Sequence, residues 1–492
     1  MPFDRRGLFR SLTLAGLGLP LLRRRASAQS ARSRRPPKNI IFLVSDGMSA
    51  GVLALAEIAS QREFRRSTHW AALLRDPHVA RGMWDQASLN SPVTDSAAAS
   101  SAWGSGSRVQ NGALNVLPDG RRLTPIGQLV KEKGMRLGLV TTTAIWDATP
   151  AGFAAAAPAR GLREGIADQF LNRVDVLMGG GREAFLAHRR QDQRDLWKEF
   201  EQSGYRAILD KTALIAIRPG ERTIALFQEG SLPYSIDHGR DAALLSQIPT
   251  LADMTAAALR ALEPSPKGFL LQVEGARIDH AAHANDAATL VREQLAFDAA
   301  LGVALEFARR RGDTLVVIAT DHGNSNPGLN SMSGPHGDTN RCFNRALQAS
   351  ASFESLARQL AARASPSNVT EAIRQSHGVE LPAEAAQAIA DSLSGKKGIV
   401  LHSQQDSPPG VMGQVMANYL GVGFCGTSHT ADWATATAFG PGQEEFEGLL
   451  RNTDVFVKLT KLLGIRFQNP TANETESAME RELVSHGIRE LV

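Results

Sequence analysis

Glu274, Asp279, His280 and His283 fall within one ten-residue stretch, and Asp321 and His322 follow farther along the chain. Carboxylates and imidazoles crowd together in a folded protein chiefly where they pair with one another or bind a metal. Asp279 and His283 are spaced i, i+4 and share one helical face, a geometry that can hold a divalent cation. Taken alone, the stretch also fits a solvated helix start whose acidic residues complement the macrodipole. Asp321, His322 and His429 of Ser428-His429-Thr430-Ala431-Asp432 turn the balance toward a metal cluster. Imidazole and carboxylate together suit zinc or another transition ion, whereas Asp46, Asp147, Thr149 and Glu274 form an oxygen-only set of the kind magnesium or calcium takes. Two ion types side by side are therefore expected.

A nucleophile candidate is Ser96, in Val93-Thr94-Asp95-Ser96-Ala97-Ala98. The alanine run marks a helix start, where unpaired N–H groups and the dipole favour an anion. Taken by itself this serine reads more readily as an N-cap, since Ser and Asp are favoured capping residues. No Gly-x-Ser-x-Gly elbow is present, so activation of Ser96 by metal is the better route to an alkoxide. Arg160 offers a two-pronged guanidinium for an oxyanion, although nothing in its neighbours sets it apart from a surface arginine. Gly179-Gly180-Gly181 lacks the Lys-Ser/Thr of a phosphate loop and reads as a turn. His69, His78, His188, His238, His336, His377, His402 and His486 have no partners at ligand spacing and are expected to be structural or on the surface.

The elements that must position these groups are apolar runs. Asn39 to Ser45 ends at Asp46, Gly268 to Val273 ends at Glu274, and Thr314 to Ala319 ends shortly before Asp321. All three read as buried strands whose carboxyl ends carry the chemistry, the usual site location in open α/β sheets. Further strands are expected at Leu137 to Thr141 and Val174 to Met178, with helices over Val52 to Ile58, Ser96 to Ala102 and Pro125 to Lys133. Strands alternating with helices predict an α/β fold with a mostly parallel sheet covered on both faces. Alanine-rich helical segments, Glu354 to Ala364 and Pro382 to Leu393, mark a helical insertion at 350–418 within a catalytic domain at 39–349 and 419–492.

The N-terminus is set apart from this plan. Arg5-Arg6-Gly7-Leu8-Phe9-Arg10, an apolar block from Ser11 to Leu22 and Ala26-Ser27-Ala28 have the order of a twin-arginine signal peptide at 1–28 with cleavage after about Ala28. A basic linker at 29–38 follows. Such a signal implies the twin-arginine translocase as an export partner, a periplasmic or secreted location, and no membrane anchor after cleavage. Residues 1–28 hold six arginines and one aspartate, so a chain of formal charge +4 becomes −1 without them. The basic pI then gives no case for nucleic acid as a stable partner. Cys342 and Cys425 could pair in an oxidising compartment or remain two thiols.

These motifs resemble the alkaline phosphatase family of metal-dependent phosphomonoesterases. The resemblance runs from about Lys38 to Gly448 and rests on Val44-Ser45-Asp46-Gly47-Met48, the Ser96 motif followed by Asn111-Gly112-Ala113-Leu114, Trp146-Asp147-Ala148-Thr149-Pro150, and the His429 motif with Phe439-Gly440-Pro441-Gly442. It implies an α/β/α sandwich around a mostly parallel sheet, two Zn²⁺ and one Mg²⁺, and usually a homodimer. By resemblance, Asp279, His283 and His429 hold the first zinc, and Asp46, Asp321 and His322 hold the second. Asp46 then bridges to magnesium, with Asp147, Thr149 and Glu274. Ser96 becomes the phosphorylated nucleophile, Arg160 binds phosphate, and His280 lies near the phosphate. The implied reaction is hydrolysis of phosphate monoesters through phosphoserine. A phosphodiesterase or sulfatase on the same scaffold is the nearest alternative, and a non-catalytic exported metal- or phosphate-binding protein a remoter one.

Overall fold

The computed structural model describes residues 36–332, 338–396 and 402–472; the expected signal peptide, most of the linker, His336 and His486 lie outside them. In chain order the strands are β1 (Asn39–Val44), β2 (Ala80–Asp85), β3 (Arg136–Ala144), β4 (Val176–Gly180), β5 (Arg206–Ile208), β6 (Thr223–Leu226), β7 (Phe269–Glu274), β8 (Thr314–Ala319), β9 (Gly323–Asn324), β10 (Gly328–Leu329), β11 (Val422–Gly423), β12 (His429–Thr430), β13 (Ala434–Phe439) and β14 (Gly448–Arg451). Ten of them form one sheet in the order β14-β2-β13-β8-β1-β7-β3-β4-β6-β5. Within it only β13 runs antiparallel to its neighbours, β2 and β8. This is the α/β, mostly parallel sandwich expected.

The core explains why β1 is apolar at every position but its first. Ile40, Phe42 and Val44 face one layer, with Trp103, Phe153 and Ala97, while Ile41 and Leu43 face the other, with Leu259, Phe297 and Leu301. A parallel strand buried on both faces needs a continuous apolar run; β8 meets the same demand after its first residue, and β7 departs from it at Gln272, whose buried amide donates to the Thr149 carbonyl at 3.1 Å. Phe42 contacts the rings of Trp103 and Phe153 at centroid distances of 5.2 and 5.4 Å. Helices Ser96–Ser105 and Ala148–Ala154 cover the first face, and Leu251–Leu262 and Ala287–Arg311 cover the second.

Strands β2, β5, β6, β13 and β14 were not expected from local pattern. In β2 polar and apolar residues are mixed, and β5 has only three residues, so neither carries a clear period. Ala434–Phe439 alternates alanine and threonine at its start, but its burial does not keep that period, because Thr437 is buried along with the alanines beside it.

Helices from Thr339–Gln348 to Pro408–Leu420 surround a separate apolar cluster built from Phe343, Leu356, Ile373, Ile389 and Met416. It packs on Leu55, Ala59, Ala287 and Val291 of two helices flanking the sheet. Residue 350 falls in the connection between Thr339–Gln348 and Phe353–Leu360. Cys342 is buried in the first of these helices and Cys425 is exposed in a loop.

One stretch among the described residues, Ala242–Leu262, is long and apolar enough by composition to cross a membrane. Its helix breaks at Ile248, and Thr250 caps a new helix, Leu251–Leu262, whose apolar face is buried on the sheet.

Candidate active site

Four adjacent parallel strands, β8-β1-β7-β3, deliver the site residues at one edge of the sheet. Val44 pairs with Glu274 on one side and with Ala319 on the other, and Thr141 pairs with Glu274 across β3. The chain leaves these strands carrying Asp46, Glu274, Asp321 and, three residues past β3, Asp147. The crevice outside the carboxyl ends is thus lined by acids from four separate loops.

Gly47 lets two of those loops meet. It sits at φ +66°, and a Cβ there would collide with the Asp279 carboxylate, so only glycine fits without displacement. Its N–H donates to Asp321 Oδ1 at 3.0 Å. Asp279 and His283 do share a face of helix Arg277–His283, with His283 Nε2 3.3 Å from Asp279 Oδ2.

His429 arrives from far along the chain. β12 pairs antiparallel with β9, matching His429 with Asn324, and this short ladder stacks the His429 ring on His322 at 3.6 Å between centroids. Asp279, His322 and His429 form one group of converging ligand atoms, and Asp46, Asp321 and His322 form another. His283 joins the first through its contacts with Asp279 and His429.

The orientation of the imidazoles follows from their other nitrogen. Nδ1 of His283 lies 2.6 Å from the Thr427 carbonyl, Nδ1 of His429 lies 2.9 Å from the Thr94 carbonyl, and Nδ1 of His322 lies 3.3 Å from the Gly323 carbonyl. A carbonyl can only accept, so each Nδ1 carries a proton, and each Nε2 faces the cluster. The Nε2 atoms of His283 and His429 stand 3.1 Å apart. Around them Asp46 Oδ1, Asp321 Oδ2 and Thr149 Oγ1 are buried with no hydrogen-bond partner in the protein. Buried acceptors without donors are costly, and a cation among them satisfies all at once. The donor set therefore fits divalent metal ions.

The charge balance has the same cause. Burial, then the charges of Asp321, Asp279 and Glu274, raises the Asp46 pKa well above the ordinary carboxylate range. Burial likewise pushes Glu274 up to about 8 although Thr141 donates to it at 2.5 Å. Burial opposes a proton on His283, but Asp279 outweighs it and pushes His283 up to about 8. The protein alone lacks the positive charge this cluster calls for.

Ser96 opens helix Ser96–Ser105 as its first residue, and the cap itself is Asp95, whose carboxylate accepts from Ala98 N. The N-cap reading of Ser96 is thereby corrected: a cap residue precedes the helix, and Asp95 occupies that place. Ser96 Oγ lies 3.2 Å from His322 Nε2. Arg160 is fixed by Asp95 at 3.2 Å and by Asp147 at 2.9 Å. Because Asp95 also caps the Ser96 helix, the guanidinium and the hydroxyl are positioned through one carboxylate. Asp147 in turn caps Ala148–Ala154, the helix carrying Thr149.

His280 stands to the side. Its Nδ1 accepts from Arg277 Nη1 at 2.9 Å, and burial followed by the Arg277 charge lowers its pKa, keeping the ring neutral. Three supporting residues were not anticipated: Asn324 donates to Asp279 Oδ1 at 2.7 Å, Thr141 holds Glu274, and Asp95 anchors Arg160. Only Asp95, beside the serine, had a local signal.

The sequence model of a family described as alkaline phosphatase matches residues 37–465. Alkaline phosphatase 4 of Bacillus subtilis is 29% identical over 92% of this chain and 95% of its own. The alkaline phosphatase of Escherichia coli is 30% identical over 60% of this chain and 72% of its own. In structure, the Thermus thermophilus alkaline phosphatase superposes with a TM-score of 0.84 at 33% identity, covering 92% of this chain and 96% of that one. Because the family match takes in nearly all the described residues and the alignments extend over most of each relative, the chain belongs to the alkaline phosphatase family and is a phosphomonoesterase.

Proposed function

We propose that the chain hydrolyses phosphate monoesters through a phosphoserine at Ser96, with two Zn²⁺ and one Mg²⁺ as resident ions. Asp279, His283 and His429 would hold one zinc, Asp46, Asp321 and His322 the other, and Asp46, Asp147, Thr149 and Glu274 the magnesium. The observation that carries this reading is the convergence of three imidazole Nε2 atoms, each fixed by an Nδ1–H bond to a carbonyl, on buried carboxylates beside the Ser96 hydroxyl. Ions bound there supply Lewis acidity, which lowers hydroxyl pKa values and neutralises charge on phosphoryl oxygens.

Arg160 offers two N–H groups to two non-bridging oxygens of the ester, and its Asp95 and Asp147 partners keep the fork from swinging away. The Ser96 oxygen attacks phosphorus, forming the Ser–O–P bond as the ester P–O bond breaks and the alcohol leaves with a proton. Water then attacks the phosphoserine, releasing inorganic phosphate and restoring the hydroxyl. The first turn of helix Ser96–Ser105 favours the anion throughout, since its N–H groups have no helical acceptor. His280, neutral and bonded to Arg277, borders the phosphate site.

The test compares turnover of an aryl monoester, diester and sulfate by purified protein supplied with zinc and magnesium. Monoester turnover dominates, and acid quenching leaves phosphate on the peptide carrying Ser96. A diester or sulfate rate above the monoester rate favours the alternative substrate class.

We infer export through the twin-arginine translocase to the periplasm or the medium, on the strength of Arg5-Arg6 and the short apolar block after it. A homodimer is supported by exposed Met83 and Leu449, which pair across β2 and β14 at the sheet edge, and by exposed Trp433. Cell fractionation with Arg5 and Arg6 changed to lysine, and sedimentation of the mature protein, test these two points.

A further inference from the structure

A cavity of about 750 Å³ opens between helix Arg277–His283 and the helical insertion, lined by His280 and His283 on one side. His283 also touches Asp279 and His429 of the ligand cluster, so the cavity adjoins the candidate site. Its far wall is apolar: Phe353, Ala357, Ala361, Pro408, Pro409 and Met412. Volume and lining match sites that enclose a small organic molecule.

The charged residues at this cavity pair with one another. Arg277 lies 3.5 Å above the Tyr234 ring and pairs with Glu354 at 2.8 Å. It also donates to His280. Arg277 and Glu354 hold each other, although Arg277 Nε is buried without a hydrogen-bond partner, and Arg358 stays at the exposed rim. The wall is held in place at the start of helix Phe353–Leu360. Ser352 donates to Asp237 through N and Oγ at 3.0 and 2.6 Å, and Phe353 N donates to Asp286 at 2.7 Å. A wall so tied is pre-formed rather than shaped by the ligand.

We propose that this cavity is a leaving-group pocket, and that the insertion selects phosphate monoesters whose alcohol has an apolar alkyl or aryl body. This inference rests on the phosphomonoesterase reading of the Ser96 site and assigns it a substrate class.

The experiment uses straight-chain alkyl phosphates, ethyl, butyl and hexyl, whose leaving alcohols differ little in basicity. With zinc and magnesium supplied, kcat/KM rises about tenfold or more from ethyl to hexyl phosphate, because methylenes leave water for the apolar wall. Ala357→Trp fills the cavity and brings the hexyl-to-ethyl ratio toward one. Ala361→Trp, at an exposed position on the same wall, does the same and serves if the first variant does not fold. A flat chain-length series in the unaltered protein overturns the pocket while leaving the monoesterase reading intact. A preference that survives both tryptophans in folded protein also overturns it, since the apolar contact would then lie elsewhere. If no ester is turned over, both readings fail together.

Discussion

Gly104 and Gly152 bring two helices into backbone contact: a Cβ on Gly104 would overlap the Gly152 carbonyl, and one on Gly152 would overlap Ser100. Helix Ser96–Ser105 begins with the candidate nucleophile, and Ala148–Ala154 begins just after Asp147 and carries Thr149. Their close approach sets the distance between Ser96 and the oxygen ligands. Gly104→Ala or Gly152→Ala is expected to cost about 1–3 kcal/mol of stability through overpacking. Turnover should fall as well, because the helix starts move apart. Urea denaturation and kcat on one preparation check both effects.

Ser96→Ala should reduce monoester turnover roughly 10³-fold or more, the scale seen when a nucleophile is removed. Bound metal should be unchanged, because Ser96 belongs to neither of the two converging ligand groups. Parallel kinetics and elemental analysis separate loss of the nucleophile from loss of the site.

Arg160→Lys is expected to behave more like Arg160→Ala than like the parent. A lysine keeps the charge but loses the fork that Asp95 and Asp147 orient. Either change should weaken inorganic phosphate inhibition by about 10-fold or more, as a charge-assisted pair of hydrogen bonds is lost. Inhibition constants at fixed zinc and magnesium provide the measure.

Chelation should abolish turnover and lower Tm, and zinc with magnesium should restore both, since buried Asp46 Oδ1 and Asp321 Oδ2 lack protein donors. In metal-free protein burial keeps Glu274 protonated up to about pH 8, with Asp46 raised in the same direction. Loading at neutral pH must therefore expel protons, and metal affinity should climb with pH until Glu274 has titrated. Calorimetry in buffers of different ionisation enthalpy counts the protons released.

The helical unit around Phe343 and Met416 carries a buried histidine. His377 is buried against Phe353 at 5.8 Å between ring centroids, and burial pushes its pKa down to about 4 from 6.5. A depressed folded-state pKa means the unfolded chain binds the proton first. The stabilisation is complete above pH 6.5 and is lost as pH falls through 4, by up to about 3 kcal/mol. The decline in urea midpoint between pH 7 and 4.5 should be shallower in His377→Phe. An unchanged slope would rule the residue out as the cause.

The amino-acid sequence by itself determined which chemistry was available and at which strand ends it emerges. Apolar runs ending in Asp46, Glu274 and Asp321 are local signals, because a parallel strand buried on both faces leaves little room for polar residues until its carboxyl end. The i, i+4 spacing of Asp279 and His283 is local too, and helix geometry alone brings them to one face. Tertiary structure decided the rest. His429 reaches His322 only through the ladder with Asn324, and Arg160 is distinguished from a surface arginine only by Asp95 and Asp147 closing on it. The inward turn of each Nε2 depends on carbonyls at Thr94, Gly323 and Thr427, two of them far from their histidines or on other loops. The cavity beside His280 exists because a separate helical unit packs there. Such contacts join segments distant in the chain, and neither periodicity nor residue type along one segment encodes which remote carbonyl or carboxylate will stand beside it.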